Sequence, residues 1–231
     1  MVKFERLDTE KSRKAIQSLA KAQRSHGDYN TSAVMAALME MFHGKCYICE
    51  NKKHVTSFQV EHLNPHQGDT AQKYRWDNLF LSCSHCNNIK GNRYIPILDC
   101  TRVDVDYRIS FHFLHPLQSE NEILIEPLDN ATETRNTCKL LVDVYYGTTP
   151  QKKIEARMIR CELRRQLLDF EADIREYLEM DDGEDKEDLY FRIRQELSNR
   201  SEYTAFKRWL ILDHLQLYLF VCEEYRGHQH I

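Results

Sequence analysis

Residues 46 to 93 concentrate the side chains that can do chemistry. Two Cys-x-x-Cys pairs, Cys46/Cys49 and Cys83/Cys86, bracket a stretch holding Glu61-His62 and Asn78, and Asn87 follows the last cysteine directly. Four thiolates in two such pairs form a tetrahedral zinc pattern, each pair spanning one edge of the tetrahedron while the intervening chain closes as a loop. Four protein ligands leave no position open for water, so this zinc is structural rather than catalytic. The loop between the pairs is long enough for a β-hairpin and the start of a helix. The zinc is therefore expected to act as a clamp, with Glu61, His62, Asn78 and Asn87 as the residues it holds in place. A redox role fits poorly, because neither pair sits in a thioredoxin-like βαβ setting. A zinc deaminase is excluded by order: that chemistry needs His-x-Glu ahead of Pro-Cys-x-x-Cys, whereas here the order is Glu-His and Pro65 is far from any cysteine.

The elements that must position these residues can be read locally. Residues 55–61, VTSFQVE, favour a strand; HLNPHQGDT is a polar loop punctuated by Pro65 and Gly68; residues 76–82, WDNLFLS, give a return strand. Residues 86–93 start a short helix that Gly91 and Pro96 limit to about two turns. The order is β, β, α.

These residues carry a resemblance. Glu61-His62 followed by Pro65, then Asp77-Asn78-Leu79, then Cys-x-x-Cys-Asn with Lys90-Gly91 behind it, resembles an HNH nuclease of the ββα-metal group. The fuller wording, Cys-Tyr-Ile-Cys-Glu at 46–50, Val-Glu-His at 60–62 and Tyr-Arg-Trp-Asp-Asn-Leu at 74–79, is similar to one subgroup. These are the small HNH partners of the bacterial anti-phage systems called Septu, some of which travel with retrons. The resemblance covers about a fifth of the chain, the span from residue 46 to 93.

The resemblance implies a division of labour. His62 is the general base, a neutral imidazole near pH 7 being suited to activating water. Glu61, where many relatives have Asp, and Asn87, where relatives have His or Asn, become ligands of a catalytic Mg²⁺ or Mn²⁺, both offering hard oxygens. Asn78 bonds backbone across the hairpin loop and so fixes the His62 ring. Lys90 and Arg93 neutralise substrate phosphates, with ordinary surface charge as the alternative for both. The implied products carry 5′-phosphate and 3′-hydroxyl ends. DNA is the family's default substrate, and retron-linked relatives leave RNA, including tRNA, open. The implied partners are a larger ATPase subunit of a Septu-type complex and, further out, a retron reverse transcriptase with its DNA–RNA product.

The rest of the chain is organised around this unit. Residues 8–25 read as a helix capped by Asp8 or Thr9, with Ala15, Ile16, Leu19 and Ala22 as its apolar positions and Lys11, Arg13, Lys14, Lys21 and Arg24 on its polar face. A second helix is expected over 31–43. Residues 94–129 alternate enough for a small second sheet. The pattern turns helical from Glu133. Lys152–Glu179 has a core stripe of Leu163, Leu167, Phe170, Ile174 and Leu178, and a basic edge of Lys153, Arg157, Arg160 and Arg164. An acidic exposed turn is expected at 180–188, then a last helical region over 187–225, apolar enough near its end to be buried or to dock a partner. His228 and His230 read as a frayed terminus. The expected organisation is α+β: a helical segment 1–44, a zinc-clamped ββα unit 45–95, and a mixed, then mainly helical region 96–231.

Composition sets the remaining bounds. The chain has 231 residues, 42% of them hydrophobic and 29% charged, which are ordinary globular values for one domain with an extension. No apolar run reaches membrane-span length, and the charged start MVKFERLDTEKSRKA is unlike a signal peptide. Four of the eight cysteines, Cys100, Cys138, Cys161 and Cys222, are scattered, as expected for buried thiols in a cytoplasmic protein rather than for a secreted disulfide framework. Net charge is −4, but unevenly spread: residues 1–100 carry 14 Lys+Arg against 10 Asp+Glu, and the remainder 18 against 26. The basic half holds the nuclease-like motif, yet its excess is too modest for tight binding to bulk DNA. Two function classes follow: a metal-dependent nuclease, or a zinc-stabilised nucleic-acid-binding or scaffold protein that does not cleave.

Overall fold

A computed structural model of the chain describes residues 1–52, 57–114, 122–214 and 217. It is α+β, with two small two-stranded sheets set among helices.

The chain opens with two packed helices, α1 (Glu10–Ser25) and α2 (Ser32–Met41). Thr9 caps α1 in a reciprocal capping box with Ser12, and Thr31 caps α2. Ala15, Leu19 and Ala22 of α1 face inward with Val34, Ala37 and Leu38 of α2. On the outer side of α1, Lys11 pairs with Glu40, Arg13 with Asp8 and Lys14 with Glu10, leaving Lys21 and Arg24 as its other exposed basic groups.

β1 (Phe58–His62) and β2 (Leu79–Cys83) form an antiparallel pair, Phe58 opposite Cys83 and His62 opposite Leu79. Between them lie the one-turn helix α3 (Thr70–Lys73) and a 3₁₀ turn over Trp76–Asn78, so the expected strand at 76–82 begins three residues later. The first residues expected in β1 fall partly at 53–56, outside the described residues. α4 (Ser84–Lys90) follows β2 directly, completing the ββα unit. β3 (Ile109–Phe113) pairs antiparallel with β4 (Ile123–Pro127), with Ile109, Phe111, Ile123 and Ile125 turned inward.

α5 (Thr132–Tyr146) and α6 (Pro150–Glu179) meet at Gly147, whose φ of +76° and whose Cβ position, 2.4 Å from the Lys152 carbonyl carbon, exclude any side chain. α6 buries Ala156, Ile159, Leu163, Leu167, Phe170 and Ile174 at helical spacing. Leu178, expected in that stripe, is 51% exposed, because the packed face of the helix passes from Ile174 through Tyr177 instead. The basic edge of α6 is partly internal: Arg160 and Arg164 both pair with Glu122, whereas Lys153 and Arg157 lie exposed.

The expected acidic turn at 180–188 is shorter than read. Glu184, Asp185 and Glu187 form the first turn of α7 (Glu184–Glu196), where the helix dipole favours carboxylates. The helical region expected over 187–225 divides at turns over 197–203, with α8 (Thr204–Leu212) following them. Residues 218–231, including Cys222, His228 and His230, fall outside the described set. One continuous apolar core runs from Met1 to Phe206 and draws on the N-terminal helices, the ββα unit and α5, α6 and α8 alike. A smaller cluster joins Phe170 and Ile174 to Leu189, Ile193 and Ile211. Among the described residues no helix is long and apolar enough to cross a membrane.

Candidate nuclease centre

Four buried cysteines come together at the base of the hairpin. The Sγ atoms of Cys46, Cys49, Cys83 and Cys86 lie within 4.8 Å of one another. Cys49 and Cys83 are 3.9 Å apart, close to the edge of about 3.8 Å that a tetrahedron with Zn–S bonds of about 2.3 Å requires. That spacing is far too long for a disulfide. The donor set and its geometry fit a zinc ion. Each pair is a tight turn: Cys86 N donates to Cys83 Sγ at 3.5 Å, and Glu50 N donates to Cys46 O at 2.9 Å. The turns are also tied to their surroundings. Tyr47 N donates to Leu81 O of β2, and Tyr145 OH of α5 donates to Cys49 O. His85, inside the second pair, lies 2.8 Å from Glu155 of α6 through Nδ1 and 2.8 Å from the Val144 carbonyl through Nε2. The clamp is thus anchored to the helical region.

Side chains alternate along β1, so Gln59 and Glu61 face one side and His62 the other. His62 is buried against the loop that joins the strands. Its Nε2 lies 3.0 Å from the Lys73 carbonyl oxygen. A carbonyl can only accept, so Nε2 carries the proton and the neutral ring keeps its lone pair on Nδ1. The Tyr29 ring meets His62 edge-on with centroids 4.6 Å apart, and His66 does so at 4.9 Å. Burial lowers the pKa of His62 below the ordinary histidine value; the bond to Lys73 O opposes that shift but does not cancel it.

Asn78, fully buried at the end of the 3₁₀ turn, holds this loop. Its Oδ1 accepts from Asn64 N at 2.8 Å, and its Nδ2 donates to Asn64 O at 2.8 Å and Gln72 O at 3.3 Å. Gln72 precedes the residue whose carbonyl meets His62, so one amide braces both sides of the ring's support.

Glu61 points the opposite way, into the interface between β1 and α4. Tyr47 OH donates to its Oε2 at 2.7 Å, and Lys90 forms an ion pair with its Oε1. Lys90 Nζ also donates to His62 O at 2.8 Å. Lys90, expected as a phosphate contact with ordinary surface charge as the alternative, is 1% exposed and is a buried ammonium. Burial pushes the pKa of Glu61 up, and the contacts with Lys90 and Tyr47 only partly offset it. Asn87 lies one turn before Lys90 on the same face of α4, and its Nδ2 donates to Gln59 Oε1 at 2.7 Å. Asn88 is exposed, and so is Arg93, which donates to Ile89 O and lies over the Tyr94 ring.

Of the expected residues, Glu61, Asn87 and Lys90 therefore lie on one side of β1, Asn87 contacting Gln59 rather than Glu61, and His62 and Asn78 lie on the other. Sequence reasoning missed Tyr29, Tyr47, Gln59 and His66. Gln59 could have been found from its two-residue offset to Glu61 on the strand, and Tyr47 from its place inside the first cysteine pair. Tyr29 comes from the α1–α2 connection, which is fastened to the unit by Tyr74 OH donating to Gly27 O at 2.7 Å. No local pattern announces that contact.

Residues 46–93, the hairpin and helix with four cysteines gathered at their base and Glu-His at the end of the first strand, match the HNH endonuclease family. The chain is also similar to the Septu protein PtuB of Bacillus mycoides (strain KBAB4), with 36% identity over 83 residues. The matched stretch spans 30% of this chain and 28% of that relative. No solved structure gives a significant match.

Proposed function

We propose that the chain is a metal-dependent HNH endonuclease that hydrolyses phosphodiester bonds, with His62 as general base. The observation that carries this reading is the contact of His62 Nε2 with Lys73 O, which directs the basic lone pair of a neutral ring to Nδ1. Nδ1 takes a proton from water as the water oxygen attacks phosphorus; the bond to the 3′ oxygen breaks, and that oxygen is protonated from solvent. Asn78 holds the loop whose carbonyl keeps the ring oriented. Glu61 and Asn87 would hold Mg²⁺ or Mn²⁺. The donor chemistry fits: both offer hard oxygens, they project onto the same face of the β1–α4 interface, and the Glu61 carboxylate already has a cationic partner there in Lys90. When bound, the ion supplies charge stabilisation to the pentacovalent phosphorus and the departing oxygen. Arg93, exposed just after α4, would neutralise substrate phosphate.

DNA is the proposed substrate, with RNA, including tRNA, as the alternative. The likeness to PtuB supports a role as the nuclease of a Septu-type anti-phage system in the cytoplasm, with an ATPase subunit docked on the helical extension. A retron reverse transcriptase and its DNA–RNA product are the further partners this reading allows. The competing reading is a zinc-stabilised binding or scaffold protein that does not cleave. The test is co-purification with the proteins encoded beside it, then cleavage of DNA and RNA with and without ATP and EDTA, using His62→Ala as the control. EDTA-sensitive cleavage that His62→Ala abolishes supports the nuclease. Absence of cleavage in the assembled complex supports the scaffold.

A further inference from the structure

We infer that Lys90 is the resident counter-cation of the nuclease centre: its ammonium holds the Glu61 carboxylate until a divalent ion takes that carboxylate over, so that ion binding and Lys90 release are one event. This rests on the reading of Glu61 as an ion ligand.

Both oxygens of Glu61 are engaged, Oε2 by Tyr47 OH at 2.7 Å and Oε1 by Lys90. Tyr47 is neutral and compatible with a neighbouring cation; Lys90 is not. Its ammonium is 1% exposed, so water does little to screen it from a second positive charge arriving at the same carboxylate. The two cations therefore compete for one site. Lys90 is also free to yield. It sits in the last turn of α4, directly before the Gly91 that ends the helix. Its four-carbon stem lets the ammonium swing without moving the helix. The other bond that must break is the one to His62 O at 2.8 Å, so release of Lys90 also frees the backbone of the general base. The contacts to Glu61 and to His62 O thus give Lys90 a positioning role in the centre.

The test is Mn²⁺ binding to the zinc-loaded full chain, followed by calorimetry or by the electron paramagnetic resonance signal of free Mn²⁺, which needs no substrate. Lys90→Met keeps the stem and removes the charge; it should bind Mn²⁺ at least tenfold more tightly than the unaltered chain, and Glu61→Ala should abolish binding in both backgrounds. Unchanged or weaker binding in Lys90→Met, with Glu61→Ala still abolishing it, overturns the inference and leaves Glu61 as a ligand. Mn²⁺ binding that is indifferent to Glu61→Ala overturns the inference and the underlying reading together. If Lys90→Met does not fold, lysine acylation of the unaltered chain read by mass spectrometry decides. Lys90 should be protected without Mn²⁺ and labelled with it, and equal labelling in both states overturns the inference.

Discussion

Asn78 and Asn64 are joined by a reciprocal pair of hydrogen bonds: the side-chain oxygen of Asn78 accepts from Asn64 N, and its side-chain nitrogen donates to Asn64 O, each at 2.8 Å. A third bond to Gln72 O closes the far side of the loop. The loop residue Leu63 adds a backbone bond to Asn78 O at 2.9 Å, so the loop is stapled at both main-chain and side-chain level. These bonds form in a buried site, where an orphaned donor costs about 1–3 kcal/mol.

Asn78→Ala should therefore lower stability by about 1–3 kcal/mol and reduce cleavage further than that loss alone accounts for, because the support of the His62 ring loosens. Asn78→Asp should not restore it, since a carboxylate keeps the bond from Asn64 N but faces the carbonyls of Asn64 and Gln72 with no hydrogen to offer. Urea unfolding of the zinc-loaded protein, run beside a cleavage assay, separates the two effects. An alanine variant that cleaves at the full rate would remove Asn78 from the centre.

The zinc clamp should be essential for folding. Structural zinc in such sites contributes about 10–16 kcal/mol at neutral pH, as much as the whole stability of a typical domain. The short hairpin otherwise packs chiefly against α2 and α4. Elemental analysis should find one zinc per chain, and Cys83→Ser should lose it together with the folded ββα unit, measured by circular dichroism. A variant that folds normally without zinc would show that the hairpin is held by packing alone.

The parts of this centre that could be read in advance are those whose signal is local in the chain. The cysteine spacing and the Thr9 cap each declare themselves within a few residues, and the four thiols do come together and Thr9 does cap α1. Lys90 was harder to read, because charged side chains mostly face water and the helix spacing that sets it beside Asn87 does not say what that face meets. Tyr29 was out of reach entirely: its contact with His62 depends on how α1 and α2 pack onto the unit. The acidic run at 184–187 was misread for a different reason, since carboxylates mark both exposed turns and helix N-termini, and Glu184 serves the second purpose here.

Glu50, the residue after the first cysteine pair, anchors a buried charge network. It forms ion pairs with the Met1 amine at 2.7 Å and with Lys45 at 3.4 Å, while Lys45 also donates to Ser201 O at 2.7 Å. Burial alone would raise its pKa, but the Met1 and Lys45 ammonium groups outweigh that and hold it at about 2. Glu50→Ala would leave Lys45 buried without its carboxylate, and should cost about 3–5 kcal/mol in denaturant unfolding. The sign with pH follows from the lowered pKa. The stability Glu50 contributes is fully present above the ordinary carboxylate value of 4.5, and is lost as pH falls from there toward about 2. The alanine variant should accordingly show a weaker acid-induced loss over that window.

His62 makes the sharpest prediction for activity. Its pKa lies below the ordinary 6.5 because burial disfavours the imidazolium, with the Lys73 carbonyl pulling the other way. A general base works in its neutral form, so the rate should be on its plateau at neutral pH and fall only on acidification below 6.5, as His62 takes up a proton. His62→Ala should lose about 10²–10⁴-fold in kcat, keep its zinc, and lose this acid limb. His62→Gln offers an amide in place of the ring but no group that titrates in this range, so it should also be slow and pH-independent there. The profile is best taken with Mn²⁺ held saturating at every pH, so that ion loss does not imitate protonation of the base. An unaltered acid limb in both variants would place the titrating base on another residue, and His66, whose ring packs against His62 at 4.9 Å, is the first to replace next.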